Sequence, residues 1–204
     1  MTFPNRQPVL CLASASPRRG QLLNQIGVPH VVMPADLDER LYGDETPEHY
    51  VQRLALAKAQ AIQLQREASG AVALPVLGAD TTVTVAGRVL GKPTSESELL
   101  DMFALLSGRA HEVLSAVALV GREFEAVRLV RTQVRFHEVS EIQARAYWAS
   151  KEPRDKAGGY AIQGYGAVFV ASISGSYSGV VGLPLAETAA LLAEAGIPVW
   201  QGAG

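Results

Sequence analysis

At 204 residues and 48% hydrophobic, the chain can bury a substantial core as one domain, or as one domain with a lobe. Its net charge of -2 argues against a broad electrostatic grip on nucleic acid, while arginines and lysines placed locally can still hold a small polyanion. Cys11 is the only cysteine, which excludes an internal disulfide; a buried, inert thiol in a cytoplasmic protein is expected. The apolar run at the N-terminus is too short for a signal peptide. The longest apolar-looking region, Ala167 to Leu185, is broken by Gly, Ser and Pro and does not read as a membrane span.

In chain order, Val9–Ala13 reads as a strand and Arg19–Ile26 as a helix closed by Gly27 and Pro29. His30–Met33 is a short strand, and Pro34 to Thr46 is acidic and irregular. Thr46-Pro47-Glu48-His49 supplies a cap, a proline at the first helical position and an acid in the first turn of a helix running to about Ser69. Val72–Ala79 reads as a buried strand, and Thr81–Val85 with Val89–Leu90 as a hairpin around Ala86-Gly87. Ser95–Leu106 is helical; Glu112–Val120 and Glu125–Phe136 form a hairpin joined at Gly121-Arg122. Ser140 caps a helix to Ala149, with Ile142, Ala146 and Tyr147 facing inward. A Gly-rich stretch, Lys156 to Gly166, precedes a strand at Ala167–Ile173, a turn and short strand at Gly175–Gly182 and a closing helix at Pro184–Ala195. The alternation of strands and helices predicts an α/β protein with a mixed sheet.

Chemistry concentrates in separate segments. In Leu12-Ala13-Ser14-Ala15-Ser16-Pro17-Arg18-Arg19, a strand ends in a Ser-rich turn and a helix begins with two guanidiniums in its first turn. Helix N-termini favour anions, and arginine forks match phosphate oxygens, so the segment reads as a phosphate grip. A Ser cap with solvated arginines fits it equally well. In Leu77-Gly78-Ala79-Asp80-Thr81-Thr82, a carboxylate stands at the C-terminal end of an apolar strand, where α/β sheets bind ligands. It can hold Mg²⁺, orient a water, or simply cap a turn. Lys92 in Gly91-Lys92-Pro93 can reach a phosphate or stand in solvent. Arg109 and His111, two apart, share a face if extended. The richest segment is Glu152 to Gly166. Asp155 and Lys156 sit beside Gly158, Gly159, Gly164 and Gly166, Gln163 can match a base edge, and Tyr160 and Tyr165 can stack or pack. Guanidiniums, lysines and carboxylates together suit a metal-bound polyphosphate. No GxxxxGK[ST] loop and no G-x-S-x-G elbow is present, which removes the main warrant for a kinase, a GTPase or a serine hydrolase.

From Leu10 to about Leu192 the chain resembles the Maf family of nucleoside triphosphate pyrophosphatases. The likeness is carried, in order, by Ser14-Ala15-Ser16-Pro17-Arg18-Arg19, Ala79-Asp80-Thr81, Gly91-Lys92-Pro93, Leu106-Ser107-Gly108-Arg109-Ala110-His111, and Asp155-Lys156-Ala157-Gly158 through Ile162-Gln163-Gly164. It ends with Gly175-Ser176-Tyr177 through Leu185. The resemblance implies a single domain over residues 1–204, built on an elongated, twisted mixed sheet with flanking helices. Two lobes would stand around a nucleotide cleft, as in inosine triphosphate pyrophosphatases. It implies hydrolysis of a nucleoside triphosphate to monophosphate and pyrophosphate with Mg²⁺ or Mn²⁺, in a cytoplasmic homodimer that engages neither nucleic acid nor membrane. A link to arrest of cell division is implied as well.

Ile162-Gln163-Gly164 resembles the branch acting on dTTP and UTP; the branch preferring 7-methyl-GTP carries a Ser-Glu-Gly-like sequence there. By that likeness Asp80 is the proton acceptor, and Arg18, Thr81 and Gln163 match positions linked to base choice. Arg19, Glu39, Lys58, Lys92, Asp155 and Lys156 match polar residues lining the family cleft; Ser14, Arg19, Lys58, Lys92 and Lys156 are expected to hold substrate, and carboxylates among Glu39, Asp80 and Asp155 the metal. The acidic segment Asp36-Leu37-Asp38-Glu39 admits more than one alignment. A 7-methyl-GTP pyrophosphatase and a nucleotide-binding division regulator with little turnover are the competing readings.

Overall fold

The structure, a computed structural model, describes residues 7–200; the remaining residues of the expected 1–204 domain lie outside it. In chain order it contains β1 (Leu10–Ala13), α1 (Pro17–Gln25), β2 (His30–Val32), α2 (Pro47–Ala68), β3 (Val76–Val85), β4 (Arg88–Leu90) and α3 (Glu96–Leu106). There follow β5 (Ala110–Val120), β6 (Glu125–Phe136), α4 (Glu141–Ala149), β7 (Val170–Ser174), α5 (Tyr177–Val181) and α6 (Leu185–Glu194). One seven-stranded sheet has the order β2-β1-β3-β5-β6-β7, with β4 paired to β3. The β1–β2 and β1–β3 pairs are parallel, and β3–β4 and β6–β7 are antiparallel, so the sheet is mixed, as the alternation of elements predicts. No helix among the described residues is long and apolar enough to cross a membrane.

The chain divides into two compact units. The first ends at Asp80 and also takes in Ser115–Leu129 and the chain from Gly182 on; the second comprises Thr81–Leu114 and Val130–Val181. In the first unit, Leu10, Leu12, Val76 and Leu77 of the strands and Val51, Leu54 and Ala55 of α2 are all buried. Gly78 lets α2 approach closely: a Cβ there would lie 2.1 Å from the Ala55 carbonyl oxygen. The core of the second unit is aromatic. Phe103 stacks on Tyr147 and meets Phe136 and Phe169 edge-on, over Leu99, Leu106 and Val113.

Helix starts follow their sequence signals. Thr46 Oγ1 accepts from His49 N in α2, Ser95 Oγ accepts from Glu98 N in α3, and Ser140 with Gln143 closes a capping box on α4. The β3–β4 hairpin turns at Ala86-Gly87, both at positive φ, as a two-residue turn requires.

Several expectations are corrected. The two strands expected at Val72–Ala79 and Thr81–Val85 are one continuous strand, β3, so Asp80 lies mid-strand and not at a strand end. A lysine from α2 compensates its charge, so the strand need not stop there. Helix α1 starts at Pro17, two residues early, because proline suits the first helical position. On α4 the inward residues are Ala144 and Tyr147; Ile142 is 81% exposed, and Ala146 is exposed. The strand expected at Ala167–Ile173 begins only at Val170, after a 3-10 helix over Tyr165–Phe169. The short strand expected within Gly175–Gly182 is helix α5: Ser176 Oγ accepts from Gly179 N and starts a helical turn. Arg109 precedes β5 and is exposed while His111 is buried, so the two share no face.

Candidate active site

In the first unit the sequence-predicted residues form a connected charged network. Ser14 follows β1 and is buried; its Oγ accepts from Ser16 N at 3.2 Å and from Arg19 Nη1 at 3.0 Å. Arg19 Nε also donates to the Gly182 carbonyl at 2.8 Å. The guanidinium is thereby fixed both by its own segment and by a carbonyl 163 residues further along the chain. A merely solvated arginine would not be held in this way. Ser16, the cap of α1, makes no side-chain cap bond; Ser14 Oγ instead accepts from the Ser16 amide and closes the turn that leads into the helix. Arg18 and Arg19 lie close enough to repel, and Asp80 and Glu39 attract Arg19.

At the centre of this network stands Lys58. Only 7% exposed, on the buried face of α2, it donates from Nζ to Asp80 Oδ1 at 2.8 Å and pairs with Glu39 Oε1 at 2.6 Å. An ammonium has three donors, so two carboxylates leave a third for another oxygen. Asp80 is 8% exposed. Burial pushes its carboxyl above the usual carboxylate range; Lys58 and Arg19 pull the other way without reversing the shift. That is the displacement a general base needs.

Tyr50, absent from the sequence-predicted set, donates its hydroxyl to the Glu39 carbonyl at 2.9 Å. Burial and the nearby Asp80 and Glu39 charges push this phenol up to about 12. Arg53 binds both oxygens of Glu45 at 2.7 Å and reaches the Arg40 carbonyl. The acidic stretch at 34–46, which carries no periodic signal, is therefore ordered by side chains of α2.

The second unit holds the remaining sequence-predicted residues. Thr81 is half-buried in β3. Gly158 N donates to the Gly91 carbonyl at 2.9 Å, and Gly159 has no room for a Cβ against Leu99 and Pro93. The segment carrying Lys92 is thus packed against the Gly-rich loop, while Lys92 itself is exposed. Lys156 pairs with Asp155 and extends toward the Glu152 carbonyl at 3.4 Å. Gln163 is exposed on the loop. Tyr160 is core: its hydroxyl shares a 2.8 Å hydrogen bond with His111 Nε2, and burial pushes the His111 imidazole down to about 4. His111 therefore belongs to the core of the second unit.

Among the described residues no three His, Cys, Asp or Glu side chains gather as a metal cluster. Glu39 and Asp80 do converge on one ammonium. Two carboxylates fit Mg²⁺ or Mn²⁺ bound chiefly through substrate phosphates and water, since Mg²⁺ commonly takes only one or two protein ligands. Asp155 belongs to the second unit, beside Lys156.

Fold and site together define a mixed α/β protein with a buried, cation-held carboxylate suited to polyphosphate chemistry. The model of the family described as Maf-like protein matches residues 9–195, and the chain belongs to that family. It is 50% identical to a dTTP/UTP pyrophosphatase of Methylobacillus flagellatus, over 92% of this chain and 93% of the relative. It is also 50% identical to a dTTP/UTP pyrophosphatase of Alkalilimnicola ehrlichii, over 94% and 95%, and 49% identical to one of Saccharophagus degradans, over 94% and 91%.

Proposed function

We propose that the protein hydrolyses dTTP and UTP to the monophosphate and pyrophosphate, with Asp80 as general base. The observation that carries the reading is the buried Asp80 carboxylate, raised above its usual range and held at 2.8 Å by Lys58. Near-full-length relatives named for this activity support it. In the proposed step a water oxygen bonds to the α-phosphorus while the bond from that phosphorus to the bridging oxygen breaks. The water proton passes to Asp80, and pyrophosphate leaves with the bridging oxygen. Arg18 or Arg19, with Lys58, Lys92 and Lys156, holds phosphate oxygens, and Ser14 fixes the Arg19 fork. Glu39, Asp80 and Asp155 are the candidate ligands for Mg²⁺ or Mn²⁺, which when bound neutralises charge on the phosphates.

Gln163, with Arg18 and Thr81, reads the base. Its amide can match a carbonyl and an N–H on the O–N(H)–O edge of uracil or thymine. A methyl group is worth at most about 1–3 kcal/mol in such a pocket, so the base edge read by Gln163 accepts thymine and uracil alike. The family likeness also supports a cytoplasmic homodimer, which sedimentation of the purified protein would check.

Turnover in H₂¹⁸O tests the chemistry. Label in the nucleoside monophosphate and none in pyrophosphate is the expected result. Label in pyrophosphate, or release of orthophosphate, would place the attack at another phosphorus and overturn the mechanism.

A further inference from the structure

Gln163 is exposed, and an exposed amide side chain can discriminate between bases only if its backbone is held still. The surrounding loop is fixed by a pair of side chains to which the sequence assigned no role. Tyr147, on the buried face of α4, donates its hydroxyl to Glu152 Oε1 at 2.7 Å. The same hydroxyl oxygen accepts from Ala161 N at 3.1 Å, two residues before Gln163. Glu152 Oε2 accepts from Tyr165 N at 3.0 Å, and Oε1 accepts from Gly166 N at 3.0 Å, two and three residues after Gln163. Both shoulders of the 161–166 turn are therefore tied to one phenol–carboxylate pair. Gly164 N, donating to the Ala161 carbonyl at 3.2 Å, closes the turn between them.

The fit leaves no slack. A Cβ on Gly164 would lie 2.0 Å from Glu152 Oε2, and one on Gly166 would lie 2.8 Å from Tyr147 Oη. Tyr147 cannot follow a moving loop, because its ring is 5% exposed and packed against Phe103 and Phe169. Just before Glu152, Lys151 takes a left-handed conformation (φ 66°), which turns the chain out of α4. Residues other than glycine adopt it only where the surroundings enforce it. Burial raises the Glu152 carboxyl, but its hydrogen bonds from Tyr147, Gly166 and Tyr165, with Lys156 nearby, outweigh this and hold it below the usual range. It is thus an anion at neutral pH, and charge-assisted acceptors are the stronger kind.

We propose that Glu152, acting with Tyr147, is a positioning residue for base selection: the pair clamps the 161–166 turn so that Gln163 presents its amide in one orientation. The proposal rests on the reading that Gln163 contacts the base. Glu152 touches no substrate; it acts through the loop.

The test is kcat/KM for UTP and for CTP, which differ at the base edge, in wild type, Glu152→Gln, Tyr147→Phe, Gly164→Ala and Gln163→Ala. Gly164 has a negative φ of -116°, so an alanine there avoids the left-handed region, and its Cβ would push the Glu152 carboxylate off the turn. Thermal melting selects the variants that fold, and Tyr147→Phe removes only a hydroxyl. The clamp predicts that the UTP-to-CTP ratio falls at least about tenfold in Glu152→Gln, with a smaller fall in Tyr147→Phe. Gly164→Ala should follow Glu152→Gln, and for UTP the change should lie in KM more than in kcat. A role confined to stability would lower both nucleotides together and leave the ratio alone. An unchanged ratio in all three clamp variants, with a changed ratio in Gln163→Ala, overturns the clamp and leaves base reading by Gln163 standing. An unchanged ratio in Gln163→Ala as well overturns both.

Discussion

Replacing Gly78 by alanine tests how the fold holds the site together. The glycine is not required by φ; it is required by space. A Cβ there would lie 2.1 Å from the Ala55 carbonyl oxygen, 2.8 Å from Ala59 N and 3.0 Å from Ala59 Cβ. Two of those atoms are helix backbone, which cannot rotate aside, so α2 must withdraw from β3 by about 1 Å. Lys58 lies between Ala55 and Ala59 on that helix, and Asp80 lies two residues beyond Gly78 on that strand. A withdrawal of that size carries the 2.8 Å Lys58–Asp80 bond past hydrogen-bonding range. Overpacking against backbone belongs at the upper end of its usual cost, about 3 kcal/mol. A catalytic group misplaced by about 1 Å costs about 100-fold in rate. Urea unfolding would read the first effect. Pyrophosphate release from UTP, on protein kept well below its unfolding midpoint, would read the second. Wild-type stability would refute the packing argument. Lost stability with unchanged turnover would refute the link between helix position and catalysis.

Lys58→Ala strands a buried carboxylate and should destabilise by about 3–5 kcal/mol. Much of that should return in the Lys58→Ala/Asp80→Asn double variant, as a double-mutant cycle in urea would show. His111 binds a proton near 6.5 when unfolded and only near 4 when folded. Its contribution is therefore complete above pH 6.5 and is lost as pH falls toward 4, amounting to about 2 kcal/mol between pH 7 and pH 5. Urea midpoints across that range, compared with His111→Gln, should show the slope in wild type and a flatter one in the variant. Cys11 is buried, and burial pushes its thiol up against the influence of Arg66; it should react with a thiol reagent only in denaturant.

Local signals made much of the fold legible. Thr46 with Pro47, and Ser140, announced their helices because a cap and the amides it serves lie within one turn; that Gln143 closes a box with Ser140 came from the structure. Ala86-Gly87 announced its hairpin in the same way. Partners distant in sequence were not legible. Asp80 read as a strand terminus because its compensating Lys58 lies 22 residues away. Gly182, whose carbonyl holds Arg19, has no local pattern that reveals the contact. Ile142 has the spacing of an inward residue, yet α4 is anchored by the aromatic packing of Tyr147 and leaves Ile142 exposed. Arg18, Arg19, Asp80, Lys92, Asp155, Lys156 and Gln163 stood out by residue type and position, while Ser14, Glu39, Lys58 and Thr81 were named through family likeness. The structure adds which of them touch; it adds Tyr50 and Tyr147, which no motif had marked as functional, and gives Glu152, the first residue of the Gly-rich segment, its contacts.

Pyrophosphate release from a panel of nucleoside triphosphates with Mg²⁺ or Mn²⁺, compared between wild type and Asp80→Asn, probes the chemistry and the base choice together. Rapid release from dTTP and UTP, falling by about two orders of magnitude or more in kcat for the variant, is the predicted result. Turnover confined to 7-methyl-GTP would contradict the base assignment. An Asp80→Asn variant as fast as wild type, or nucleotide binding without turnover, would contradict the assignment of Asp80 as the catalytic base.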